Sequence, residues 1–118
     1  MKQSLLAITL LIFFAPSWGQ TGGIDSVYRI GQREKTIKKK LLILNEVIAY
    51  GWYYGEYDKA IRYGRKALDL AHRYKQDSIA GLMHNNLGIT YDYKGDYPKA
   101  LQHFYKALRI AERIKDKD

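Results

Sequence analysis

The sequence predicts an all-α fold of antiparallel helix pairs, and three observations predict it. The chain resembles itself at a shift of forty residues. Apolar side chains recur at helical spacing within each unit, and no stretch reads as a strand. Glycines fall where one helix must stop and the next begin, at Gly55 and Gly95.

The first nineteen residues stand apart from this pattern. Met1-Lys2 supplies a positive start, and Leu5 to Phe14 is an apolar run of ten residues. A membrane-crossing helix needs about 20 residues, so this run is too short to span. Pro16, the small residues Ser17 and Gly19, and polar Gln20 follow. That order is the order of an export signal, with cleavage expected after Gly19. A cut nearer Ala15, or an uncleaved anchor, are the alternatives. The chain has no cysteine, which excludes a lipid-modified cysteine anchor and any disulfide framework. Export without disulfides fits a bacterial periplasmic protein stabilised by helix packing. Residues 20–36 form a leader ahead of the repeats.

Two units follow, 37–78 and 79–118. Gly55-Glu56-Tyr57-Asp58-Lys59-Ala60 lies over Gly95-Asp96-Tyr97-Pro98-Lys99-Ala100, and the match continues to Lys75 over Lys115. Residues 55–75 and 95–115 share ten identities in 21 pairs. A fixed period between about 20 and 50 residues signals a stacked-repeat architecture. In the first unit the spacing predicts helices over 37–53 and 57–74. In the second, apolar and small residues recur at a helical period in the first helix, at Leu82, Met83, Leu87, Gly88 and Tyr91. Gly95 then breaks that helix, Asp96 is placed to cap the next, and Pro98 sits in its first turn, where a missing N–H is tolerated. The second helix is expected to bury Ala100, Leu101, Phe104, Ala107, Leu108 and Ala111, with Lys99, Gln102, Lys106 and Arg109 turned outward. A hairpin of this size cannot bury its own apolar face and needs a neighbour.

The residues His84-x2-Leu87-Gly88-x2-Tyr91, Gly95-Asp96-Tyr97, Ala100-x3-Phe104 and Ala107 resemble the tetratricopeptide repeat pattern. The resemblance implies helix-turn-helix hairpins stacked in a right-handed superhelix. It covers roughly residues 37–118, with Gly55, Tyr57, Ala60 and Ala67 as the matching packing positions of the first unit. His84 stands where a large apolar residue is usual, and Glu112 replaces a closing Pro. Without that Pro the second helix runs longer, in agreement with a period of forty instead of about 34. Gly64 stands where an aromatic is expected, and Ala49 is the expected small packing residue of the first helix. Forty-residue units behind an export signal also resemble the exported sensor regions of bacterial histidine kinases, in two-component systems. That resemblance makes residues 24–31 a short leading helix over the first hairpin. By the same period another unit is expected beyond Asp118, so the chain reads as a fragment, or as one that covers its last helix face by self-association.

Catalysis finds little support. His72, His84 and His103 are not spaced as helical neighbours, no HExxH or other metal-ligand spacing occurs, and no nucleophile motif surrounds Ser26 or Ser78. No cofactor and no metal are expected, and the chain is not expected to be an enzyme. The net charge of +8, falling to +7 once residues 1–19 with Lys2 are removed, raises nucleic acid as a partner. Only Lys38-Lys39-Lys40 is a dense run, and export argues against it.

What remains is a binding surface. The first helices of such repeats line a concave face, and the resemblance implies that Asn86 holds a peptide backbone there, flanked by Asn85, Ile89, Asp92 and Tyr93. An amide offers both a donor and an acceptor to an extended chain. Solvated polar residues are the plainer reading of both asparagines. Tyr57, Tyr91 and Tyr97 fall at packing positions, whereas Tyr53 and Tyr93 fall off the packing face and are either ligand-facing or simply exposed. The expectation is therefore a periplasmic protein–protein interaction module in the sensing region of a membrane signalling protein. A free periplasmic scaffold for envelope assembly is the alternative. An anion-binding module around Lys38–Lys40 is a more distant one. Membrane attachment would come only through a downstream segment.

Overall fold

A computed structural model of the chain describes residues 16–117, with side chains from 23 to 116. The apolar run Leu5–Phe14, and with it most of the expected export segment, lies outside the described residues. Five helices follow in order: α1 (Pro16–Arg33), α2 (Ile37–Tyr54), α3 (Tyr57–Arg73), α4 (Asp77–Lys94) and α5 (Tyr97–Lys117). Gly23 interrupts α1 with φ 53° and ψ −144°, so the part that packs on the repeats begins at Ile24. The expected helices at 37–53 and 57–74 agree with α2 and α3 to within one residue.

The α2–α3 and α4–α5 hairpins stack side by side, with α4 also lying along α2 and α1 packed on α2. The core follows from that order. Leu41, Leu44, Val47 and Ile48 of α2, Ala60, Ala67, Leu68 and Ala71 of α3, and Ile79, Ala80, Met83 and Leu87 of α4 are all buried. Helix α4 is covered by α2 and α3 on one side and α5 on the other, which is why it buries Thr90 and His84 as well.

The same closure ends three helices. At Gly95 (φ 90°) the backbone turns left-handed, Gly95 N–H donates to Asp92 O at 3.0 Å, and Asp96 N–H reaches Tyr91 O at 2.9 Å. This pairing satisfies carbonyls that the helix itself leaves open. Glu56 N–H repeats it to Gly51 O at 2.8 Å, and Gln76 N–H to Ala71 O at 2.8 Å, with Lys75 taking the left-handed place (φ 54°). Asp96 Oδ1 accepts from Lys99 N–H at 3.3 Å, so the expected cap of α5 is present.

Helix α1 is tied down at its front. Ile24 is fully buried, and Asp25 accepts from Lys59 Nζ at 2.8 Å and from the Tyr63 hydroxyl. Tyr28 stacks on Tyr63 with ring centroids 3.9 Å apart. The Lys59 and Tyr63 hydrogen bonds hold the Asp25 carboxyl below the usual carboxylate range. The leading helix expected at 24–31 does cover the first hairpin.

Three expectations about packing are corrected. The small residue that α2 brings against α3 is Gly51, not Ala49: a Cβ on Gly51 would lie 2.2 Å from the Ala60 Cβ. Tyr97 does not pack; it is 60% exposed, whereas Tyr57 one repeat earlier is half-buried with Tyr93 of the next helix stacked near it. Leu101 (67% exposed), Leu108 (53%) and Ala111 are also open to solvent. Their counterparts Ile61, Leu68 and Ala71 are buried because the first hairpin has helices on both sides, while among the described residues nothing lies beyond α5. Ala100 is buried, Phe104 and Ala107 are half-buried, and Lys99, Gln102, Lys106 and Arg109 face outward as expected.

Candidate partner-binding surfaces

The C-terminal ends of α2 and α4 carry an exposed group of aromatic rings. Trp52 and Tyr93 lie parallel, centroids 5.9 Å apart and planes within 5°, and Tyr57 lies parallel to Tyr93 at 6.4 Å. Tyr53 meets Trp52 and Tyr54 edge-on at 6.2 and 4.9 Å. Tyr53, Tyr54 and Tyr93 are all about half exposed or more. Beside them Lys94 bridges to Asp58 at 2.5 Å, at the rim of a shallow pocket of about 290 Å³.

The platform is held from below by amides. Trp52 Nε1–H donates to Asn86 Oδ1 at 3.2 Å, and Asn86 Nδ2 donates to Asn45 Oδ1 at 2.9 Å. Thr90 Oγ1 donates to the Asn86 carbonyl at 2.8 Å. Asn86 is half-buried and uses its oxygen and one amide hydrogen to link α2 and α4. A buried amide without partners would cost more than the bonds gain, which explains why Asn45 and Asn86 occur as a pair.

The other expected groove residues divide. Tyr93 and Tyr53 belong to the aromatic platform, Asp92 is exposed, and Ile89 is half-buried. Asn85 lies elsewhere, in an apolar groove of about 570 Å³ between α4 and α5 lined also by Leu82, Phe104, Ala107, Leu108 and Ile114. Trp52 and Asn45 were missing from the expected site. The signal for Asn45 was present, since it stands forty residues before Asn85; the bond from Trp52 to the next repeat has no mark in sequence.

The structure also joins two histidines that sequence spacing keeps apart. His84 and His103, on adjacent helices, place their Nδ1 atoms 3.0 Å apart, so one donates and the other accepts. Tyr91 stacks on His103 at 5.4 Å, and the His72 ring lies 6.1 Å from that of His84. Burial pushes His84 down to about 4, helped by His103, Lys106 and His72. Burial also pushes His103 down to about 4, helped by Lys106 and Arg65. Both rings are neutral at pH 7. Among the described residues no group of three or more His, Cys, Asp or Glu is placed to hold a metal ion, and no helix is long and apolar enough to cross a membrane.

These surfaces offer flat rings, amides and an apolar slot, which is the chemistry of recognition. No curated protein and no solved structure matches the chain significantly. The tetratricopeptide repeat family does match, over residues 48–113, more than half of the chain and most of both hairpins. With the hairpins, their forty-residue period and that match together, the chain belongs to the tetratricopeptide repeat family of helical scaffolds for protein–protein interaction.

Proposed function

We propose that the chain is an exported interaction module that receives an extended peptide across the aromatic platform, within the sensing region of a membrane signalling protein. The observation that carries the peptide reading is the parallel set of Trp52, Tyr93 and Tyr57, with Tyr93 60% exposed and Trp52 anchored through Asn86. Rigid rings of this kind give large contact area at little entropic cost and concentrate binding energy. The export-like order of residues 1–19 and the forty-residue period support the location and the sensor context.

Selection of a displayed peptide library on the full chain tests the recognition. Enriched peptides should perturb Trp52 fluorescence, and Tyr93→Ala should weaken them by roughly tenfold or more with the melting temperature almost unchanged. Peptides that bind equally well to the Tyr93→Ala variant would defeat the assignment. For location, alkaline phosphatase fused after Asp118 is active only if residues 1–19 export the chain; an inactive, stable fusion rejects the periplasmic reading.

A further inference from the structure

Helix α2 carries an acid that the fold does not use. Glu46 is half-buried, and burial alone raises its carboxyl above the ordinary carboxylate range. Asp25, Asp58, Asp77 and Asp96 each meet a Lys or Arg, whereas among the described residues no cation and no hydrogen-bond donor reaches Glu46. The sequence explains the isolation. Residues three and four away are a residue's neighbours on a helix, and for Glu46 these are Leu42, Ile43, Ala49 and Tyr50, none of them cationic. The next charged residue on that face, Lys39, is two turns away. One repeat on, the counterpart Asn86 bonds Asn45 and Trp52. A carboxylate held half out of water without a partner costs stability.

Its place on the helix gives Glu46 a use. It precedes Tyr53 by seven residues of one continuous helix, so the two share a face of α2 and lie about 10 Å apart along the axis. Tyr53 is 55% exposed and belongs to the aromatic platform with Trp52 and Tyr93. Ala49, small and half-buried, stands between them. An extended peptide advances about 3.3 Å per residue, so about three residues cover that distance.

We infer that the peptide received on the platform carries a lysine or arginine about three residues from the one that meets the rings, and that its cation pairs with Glu46. This rests on the peptide reading of the platform. Folding has already taken the carboxylate partly out of water, so binding does not incur that desolvation again, and a half-buried pair is screened less than an exposed one. The lysines beside the platform do not compete for the site, since Lys94 is held by Asp58 and Lys59 by Asp25.

A displayed peptide library selected on the full chain tests this. Binders that Tyr93→Ala weakens should be enriched in Lys or Arg. For one such peptide, Glu46→Gln should weaken binding roughly tenfold, and norleucine in place of the basic residue should do the same. Both changes together should cost no more than either alone. In the free chain Glu46→Gln, which keeps the shape of the side chain, should raise the melting temperature by removing the uncompensated charge. Tyr93-dependent binders without a basic residue, or additive losses in the cycle, overturn the inference and leave the platform standing. A melting temperature lowered by Glu46→Gln overturns it too, because the carboxylate would then have a partner within the fold. A library with no Tyr93-dependent binder defeats the platform reading, and this inference with it.

Discussion

Phe104 lies against the bare face of Gly88, and one repeat earlier the same two positions have exchanged sizes, with Ile48 over Gly64. A Cβ on Gly88 would come within 2.5 Å of the Phe104 ring, and one on Gly64 within 3.3 Å of Ile48 Cδ1. Each hairpin thus crosses on one large and one absent side chain, but opposite helices supply them. The glycine at position 64, where the repeat pattern leads one to expect an aromatic, is the other half of that exchange. It also admits Leu87 from the next helix.

Gly88→Ala should therefore destabilise the fold despite improving helix propensity. Overpacking a tight crossing costs about 1–3 kcal/mol, against about 1 kcal/mol gained by replacing a helical glycine. A net loss of up to about 2 kcal/mol is expected in urea denaturation. In a Phe104→Leu background the same change should cost less, because the smaller side chain leaves room. Strict additivity of the two substitutions would show that the contact does not set the crossing.

The His84–His103 pair makes stability depend on pH in one direction. Both groups titrate at about 4 in the folded chain, below the ordinary value of 6.5. The unfolded chain therefore binds more protons in between, and folding weakens as pH falls from about 6.5 towards 4. A protonated pair has two donors facing at 3.0 Å and no acceptor, with His72, Lys106 and Arg65 adding positive charge nearby. Asp25, lowered by Lys59 and Tyr63, loses its contribution only below the ordinary carboxylate range near 3.8, and Glu46, raised by burial, works in the opposite direction to the histidines. Melting temperatures at pH 7.5, 6.5 and 5.5 should fall in that order. His84→Gln should flatten the series, and an unchanged slope in that variant would assign the dependence elsewhere.

The fold was legible because its signals are local and repeated. Gly55 and Gly95 mark the turns, Asp96 caps α5, and Ala60 and Ala100 recur at the buried crossings. The burial of α5 was not legible, because Leu101 and Leu108 carry the same apolar pattern as Ile61 and Leu68 whether or not a helix covers them. Pattern reports what a face is fit to bury, and only the neighbour decides whether it does. The aromatic platform was half visible: Tyr53 and Tyr93 fall off the packing stripe in sequence. Their partner Trp52 and the amide pair beneath it depend on how one repeat leans on the next. The same holds for His84 and His103, nineteen residues apart and joined only by the α4–α5 crossing.

Asn86 separates a supporting role from a ligand-holding one. Its amide links Trp52 to Asn45, and Asn45 is only 7% exposed. Asn86→Ala removes the donor to a buried acceptor and frees the indole, an expected loss of about 1–3 kcal/mol. Trp52 emission should shift as the ring loses its hydrogen bond. Replacing both asparagines, as Asn45→Leu with Asn86→Leu, removes the unsatisfied group and should recover much of that stability. Tyr93→Ala should do the reverse: little change in folding, with peptide recognition lost. If Asn86→Ala left the denaturation midpoint and the Trp52 spectrum untouched while abolishing peptide binding, the amide would be a direct ligand contact, and the internal hydrogen bonds would carry little of the fold.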